Sequence, residues 1–173
     1  MYAAISVGVM IVAMSIFFVY SSDQAKMRGE AFGKALEFIQ EDLRKLTHSF
    51  DSKVSMFKQG DINKVEFLEF TEKYARNTAG QIDIGGWSSY EHEMEKIILR
   101  YDNLQIPQSF VSSVELFKLS AETQLESDHY MIEWVRTGED TAHIRSDSLL
   151  QQSFDYEMAA LAKFKLAQGQ TNP

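Results

Sequence analysis

Cysteine is absent from this chain of 173 residues. That excludes disulfides, thiolate nucleophiles, Fe–S clusters and cysteine-ligated zinc. It leaves the compartment open, because a bundle with an adequate core folds outside the cell without covalent staples. Proline is nearly absent as well: Pro107 is the only one before the terminal Pro173. Sustained period-two alternation of β-branched residues is also missing, so long helices are what remains. The chain carries no G-x-G-x-x-G, Walker loop, G-x-S-x-G or H-E-x-x-H. It has no Asn-X-Ser/Thr acceptor, since Asn77 is followed by Thr and Ala. A Lys/Arg stripe interleaved with aromatics is missing too, and a net charge of −8 repels phosphate backbones. Nucleic acid is therefore excluded as a partner.

Charge is also absent from Met1 to Ser22, so the whole formal charge belongs to residues 23–173. As a helix, Tyr2 to Tyr20 spans about 28 Å, close to the roughly 30 Å hydrocarbon core of a bilayer. It has no polar face of the kind a soluble helix shows, and Tyr2 and Tyr20 stand where interfacial rings are favoured. Small residues such as Ala4 and Gly8 allow close helix contact. A cleaved signal peptide is the rival reading, with Val19-Tyr20-Ser21 as the processing site, but a basic n-region is lacking and the apolar run is long. A buried core helix is the third. The expectation is a transmembrane anchor over 1–21, carrying a helical domain over 22–173 in a cell membrane. Lys26, Arg28 and Lys34 come after the segment, and counted literally they place the body in the cytoplasm. A one-residue tail ahead of a span is unusual, and a short basic start would reverse the count, so the expected side is extracytoplasmic.

The rest of the chain, with 45% hydrophobic and 24% charged residues overall, has the composition of a folded domain. In Ala25–Phe57 the residues Phe32, Leu36, Ile39, Leu43, Leu46 and Phe50 step by four and three, the stripe of a helix lying along a partner. Val54 and Phe57 extend it, and Gly60 ends it. Asp61 or Asn63 caps a second helix with Val65, Phe67, Leu68, Phe70 and Tyr74. Gly80, Gly85 and Gly86 then predict a loop, with Trp87 folded over a bundle end. Ser88 or Ser89 caps the next helix, with Met94, Ile97, Ile98 and Tyr101 on one face. The Asp102–Pro107 stretch connects it to a long helix over 109–136 with the stripe Phe110, Val114, Phe117, Ala121, Leu125, Ile132 and Val135. Thr137-Gly138 ends that helix, and Asp140 or Thr141 opens the last, with Leu150, Phe154, Met158, Leu161 and Phe164 inward. The expected fold class is all-α: the anchor, then an antiparallel bundle of four to five helices.

Three constellations are candidates for chemistry. Glu126 and His129 have the E-x-x-H spacing that puts a carboxylate and an imidazole one turn apart, but carboxylate-bridged di-metal bundles need two such pairs. The nearest echo, Asp140-x-x-His143, falls at a helix start. His129 lies beside Leu125 and Ile132, so a buried polar contact is expected there, with Asp147 and Glu157 as candidate partners. Glu91, His92, Glu93 and Glu95 surround one imidazole, but only His92 with Glu95 or Lys96 shares a face, as in a solvated first turn. Gly60 to Phe67 matches the second half of an EF-hand loop, with Glu66 at the twelfth position. The first half offers Ser55, Phe57 and Gln59, and phenylalanine cannot bind calcium. No catalytic, cofactor-binding or metal-binding residue is assigned, and no cofactor is expected.

The segment SSVELFKLSAETQLESDHYMIEWVRTGED, followed by IRSDSLLQQSFDYEMAALAKFK, resembles a group of small helical proteins of ammonia-oxidising archaea that often carry one N-terminal hydrophobic segment. The likeness runs from Phe32 to Lys165 and lies in texture, not in a diagnostic motif. Such organisms carry helical accessory subunits of the membrane ammonia monooxygenase, and the chain is similar to these. The resemblance implies a supporting subunit that lacks copper ligands of its own, and it carries over no functional residues. The expected function is a non-catalytic, membrane-anchored interaction module with the lipid bilayer and a protein of a membrane complex as partners. The alternatives are an extracytoplasmic ligand-sensing bundle and a metal-binding bundle.

Overall fold

The computed structural model describes residues 23–79 and 89–170. Among them the regular structure is helical throughout: α1 (Asp23–Gln59), α2 (Lys64–Ala79), α3 (Tyr90–Leu99), α4 (Val111–Thr137) and α5 (Asp140–Gln170). Two single 3-10 turns, Arg100–Asn103 and Gln108–Phe110, join α3 to α4. The expected all-α bundle is thus observed. No helix among the described residues is long and apolar enough to cross a membrane. The Met1–Ser22 run and the loop with Trp87 lie outside the described residues.

The helix ends follow local chemistry. At the end of α1, Gly60 takes φ +82°, its N–H donates to Phe57 O, and Asp61 N–H donates to Met56 O. This paired closure satisfies the last carbonyls of α1 and needs a residue tolerant of the left-handed region. Asn63 then caps α2. Its Oδ1 accepts from Val65 N and Glu66 N, while Glu66 Oε2 accepts from Asn63 N at 2.8 Å. That reciprocal exchange is a capping box. Ser89 Oγ caps α3 by accepting from His92 N. Gly138 closes α4 at φ +79°, with its N–H 2.7 Å from Trp134 O.

Cross-helix pairs give the topology. Phe50 stacks on Tyr90, and Gln40 bonds Tyr101, so α3 runs antiparallel to α1. Tyr90 with Asp128 and Asp102 with Lys118 set α4 antiparallel to α3. Phe32 packs on Phe110 at one end of α1, and Phe57 on Trp134 at the other, so α1 and α4 are parallel. The struts are α1, α3, α4 and α5, and α2 joins them through Phe67, which meets Phe50 and Phe57 of α1. Aromatic clusters close both ends: Phe32, Phe110 and Phe164 at one, Phe57, Trp134 and His143 at the other.

The α1 stripe is as expected. Phe32, Leu36, Ile39, Leu43, Leu46 and Phe50 are all buried, each contributing about 1.5–3 kcal/mol of transfer free energy. On α4 and the turn that leads into it, Phe110, Val114, Phe117, Ala121, Ile132 and Val135 are buried as expected, and Leu125 is half-buried.

The inward face of α5 differs from the expectation. Leu161 and Phe164 are buried, but Leu150 and Phe154 are only half-buried and Met158 is 46% exposed. The buried face is instead Ala142, Ser146, Leu149, Ser153, Ala160, Phe164 and Ala167. The reason lies in the seam with α4. Ser120 Oγ donates to Ser153 O and Ser153 Oγ to Ser120 O, both at 2.9 Å, and Ser127 Oγ donates to Ser146 O at 2.8 Å. Hydroxyls that bond the opposite backbone need the two helices close together, and only small side chains fit between backbones at that distance.

Candidate functional site

Because small residues fill the α4–α5 seam, Leu150 and Phe154 are set to one side and become the wall of a cavity. The cavity has a volume of about 330 Å³ and lies among α1, α3 with its following turn, α4 and α5. That is within the roughly 300–1,000 Å³ typical of small-molecule sites. Leu43, Met94, Phe117, Leu150 and Phe154 form its apolar surface. Besides the hydroxyls of Thr47, Ser120 and Ser153, its polar groups are Gln40, Tyr101, Gln124, Gln151, Asp147 and Glu157.

The polar groups are held in place. Gln40 Nε2 donates to Tyr101 Oη at 2.6 Å, joining α1 to the turn after α3. Burial raises the Tyr101 phenol above its ordinary range, and the nearby Glu157 carboxylate pushes it further the same way. Burial also raises Glu157. Tyr101 is therefore a neutral hydroxyl at physiological pH, and Glu157 is a carboxyl whose ionised form is underprovided with partners.

Gln124 links this cavity to a second polar group inside the bundle. Its Nε2 donates to Asp128 Oδ1 at 2.7 Å, and Tyr90 Oη donates to Asp128 Oδ2 at 2.7 Å. Asp128 is 3% exposed. Burial holds its carboxyl well above the usual carboxylate range, against the lowering bond from Tyr90, and the charges of Asp51 and Glu91 add to the rise. Asp51 is itself pushed up to about 6 by burial, with His48 acting in the opposite direction. Both donors favour the ionised form, but they are neutral and no cation joins them, so burial outweighs them.

The residues singled out from sequence fall elsewhere. Glu126 and His129 do not converge: Glu126 Oε1 lies 3.5 Å from Arg145 Nη2 on α5, and His129 Nδ1 lies 2.6 Å from Glu91 Oε1 on α3. The expectation of a buried His129 is corrected, because its side chain is 58% exposed. The inward arc of α4 takes in Ser127, Asp128, Met131 and Ile132, and His129 falls just outside it. Of its candidate partners, Asp147 pairs with His143 at 3.4 Å and Glu157 lines the cavity. Asp140 opens α5 and is exposed.

His92 shares a face with Glu95 at 3.5 Å, and Glu93 pairs with Lys96, as a solvated first turn requires. Glu66, at the EF-hand's twelfth position, is committed to the cap of α2. Among the described residues no group of three or more His, Asp or Glu is placed to hold a metal ion. A second depression, between α1 and α3, is bordered by Asp42, Lys45, Glu93, Lys96 and Arg100, whose charges are already matched in Arg100–Asp42, Lys96–Glu93 and Lys45–Glu41 pairs. It offers an incoming group little that is unsatisfied.

Sequence reasoning missed Asp128 and the cavity. The available signal was the Ser120, Ser127, Ser146 and Ser153 spacing, which marks a close helix pair and therefore displaces the bulky residues beside it. No protein-family model matches the chain, and neither the curated proteins nor the solved structures include a match.

Proposed function

We propose that the chain is a non-catalytic helical bundle, tethered to a membrane by its apolar leader, that binds a small amphipathic molecule between its helices. The observation that carries this reading is the cavity bounded by Phe117, Phe154 and Leu150 on one side and by Gln40, Tyr101 and Glu157 on the other. An apolar chamber with a few oriented polar groups is the usual form of a small-molecule site. The tether rests on the charge-free Met1–Ser22 run, whose length matches a bilayer.

The other expected role, an accessory subunit of a membrane complex, would draw on exposed apolar side chains. These are Phe38, Val65, Leu99, Leu119, Ile144, Met158 and Leu166, and they are distributed over all five helices. The cavity is the more specific feature.

The test uses the full chain in zwitterionic nanodiscs, with thermal unfolding followed as phenethyl alcohol is added. A ligand that binds only the folded state raises the unfolding temperature. Wild type is expected to respond, and Leu150→Trp, which fills the chamber, is expected not to. Equal responses from the two proteins would remove the cavity from the account. Release of the full chain from vesicles by alkaline carbonate would remove the tether.

A further inference from the structure

We propose that the cavity selects a cationic amphiphile, a small primary amine with an apolar body, and that its ammonium group is received between Glu157 and Tyr101. This rests on the ligand-binding reading above and specifies its chemistry.

The first observation is charge. The cavity lining contains two carboxyl groups, Asp147 and Glu157, and no Lys, Arg or His. Asp147 is exposed and already near His143. Glu157 is half-buried, and among the described residues no basic side chain pairs with it. An ammonium group arriving there would give the carboxylate the partner that burial has denied it. The net charge of −8 raises the local concentration of cations and lowers that of anions.

The second observation is hydrogen-bond direction. A primary ammonium carries three donors and no acceptor, so its site must present acceptors. Tyr101 Oη takes one bond from Gln40 and keeps a lone pair. Gln124 has its Nε2 committed to Asp128, which leaves its Oε1 as an acceptor on a residue that lines the cavity. With the Glu157 carboxylate, these make three acceptors for three donors. The apolar surface of Phe117, Phe154 and Leu150 suits the rest of the ligand. A carboxylate ligand would meet like charge at the same place.

The experiment measures binding of phenethylamine, phenethyl alcohol and hydrocinnamate to the full chain in zwitterionic nanodiscs by calorimetry. Hydrogen bonds to charged groups are worth about 1.5–3 kcal/mol, so the amine is expected to bind about tenfold or more tighter than the alcohol. Hydrocinnamate is expected to bind weakest. Glu157→Gln keeps the side-chain shape and should bring the amine to the level of the alcohol. In wild type the preference for the amine should also shrink as pH falls and Glu157 protonates. Equal binding of amine and alcohol to wild type, abolished in both cases by Leu150→Trp, would overturn the amine assignment while the cavity reading stands. So would a preference that survives in Glu157→Gln. If none of the three probes binds, the cavity reading itself fails and this one with it.

Discussion

Replacing Asp128 with Asn tests the energetics of the bundle interior most directly. In wild type the carboxyl accepts from Tyr90 and Gln124 and is held above its ordinary range by burial. A group that is protonated when folded and ionised when unfolded confers stability below its unfolded pKa, about 3.9 for Asp, and loses it as pH rises. The slope is about 1.4 kcal/mol for each pH unit until the folded carboxyl ionises. An amide does not titrate. It can accept from Tyr90 through Oδ1 and donate through Nδ2 to the carbonyl of a turned-over Gln124. Asp128→Asn should therefore be close to wild type at about pH 4 and become relatively more stable towards about pH 8, with a difference that widens by up to about 1.4 kcal/mol per unit. Other titrating groups, the four histidines included, largely cancel in the comparison of the two proteins. Urea unfolding in nanodiscs at several pH values, followed by circular dichroism, gives the difference. Asp128→Ala is the contrast: it leaves Tyr90 and Gln124 without their partner, which should place it about 1–3 kcal/mol per stranded group below Asp128→Asn at every pH, since neither variant titrates at this position. If Asp128→Asn is destabilised by a constant amount across the range, or loses ground as pH rises, the carboxyl is ionised in the fold and the reasoning is wrong.

Asp51→Asn should remove a smaller effect of the same sign: wild type loses up to about 3 kcal/mol between its unfolded pKa and its folded value of about 6, and the variant should not, as paired urea titrations would record. Gly138→Ala meets no atom within 4 Å at the added Cβ, so only the backbone at φ +79° opposes it. The expected cost is about 1 kcal/mol, read as a lower unfolding temperature with unchanged helicity. Ser120→Leu places a bulky side chain against Ser153 in the seam between α4 and α5. It should destabilise by about 1–3 kcal/mol or more, well beyond Ser120→Ala, and comparable losses from the two variants would contradict a close seam.

The parts that sequence made legible are those in which side-chain size and backbone demand agree. The α1 stripe carried six large apolar residues at helical spacing, and all six are inside. Gly60, Asn63, Ser89 and Gly138 mark helix ends by chemistry that acts within a few residues. The inward face of α5 was misjudged because Leu150, Phe154 and Met158 look more like core than Ser146, Ser153 and Ala160 do. The choice depended on how near α4 lies, which is a tertiary distance. Asp128 was overlooked for a related reason: a carboxylate is normally a surface residue, and the two donors that make its burial tolerable come from Tyr90, 38 positions away, and from Gln124. His129 attracted attention because its spacing from Glu126 fits a ligand pair, yet the helix is turned so that each reaches a different neighbour.

The serine contacts between α4 and α5 recur at an interval of seven, Ser120 and Ser127 opposite Ser153 and Ser146. Translating one rod past its neighbour by that interval, about 10.5 Å, would bring Ser120 opposite Ser146 and let a hydroxyl couple re-form. The repeated chemistry is thus nearly blind to which of two alignments it joins. What discriminates is the link of Gly138 and Glu139, which at no more than about 3.6 Å per residue is too short to span such a displacement. Two residues with little buried surface therefore act as the ruler of the hairpin, and lengthening them would loosen alignment before it loosened any single bond.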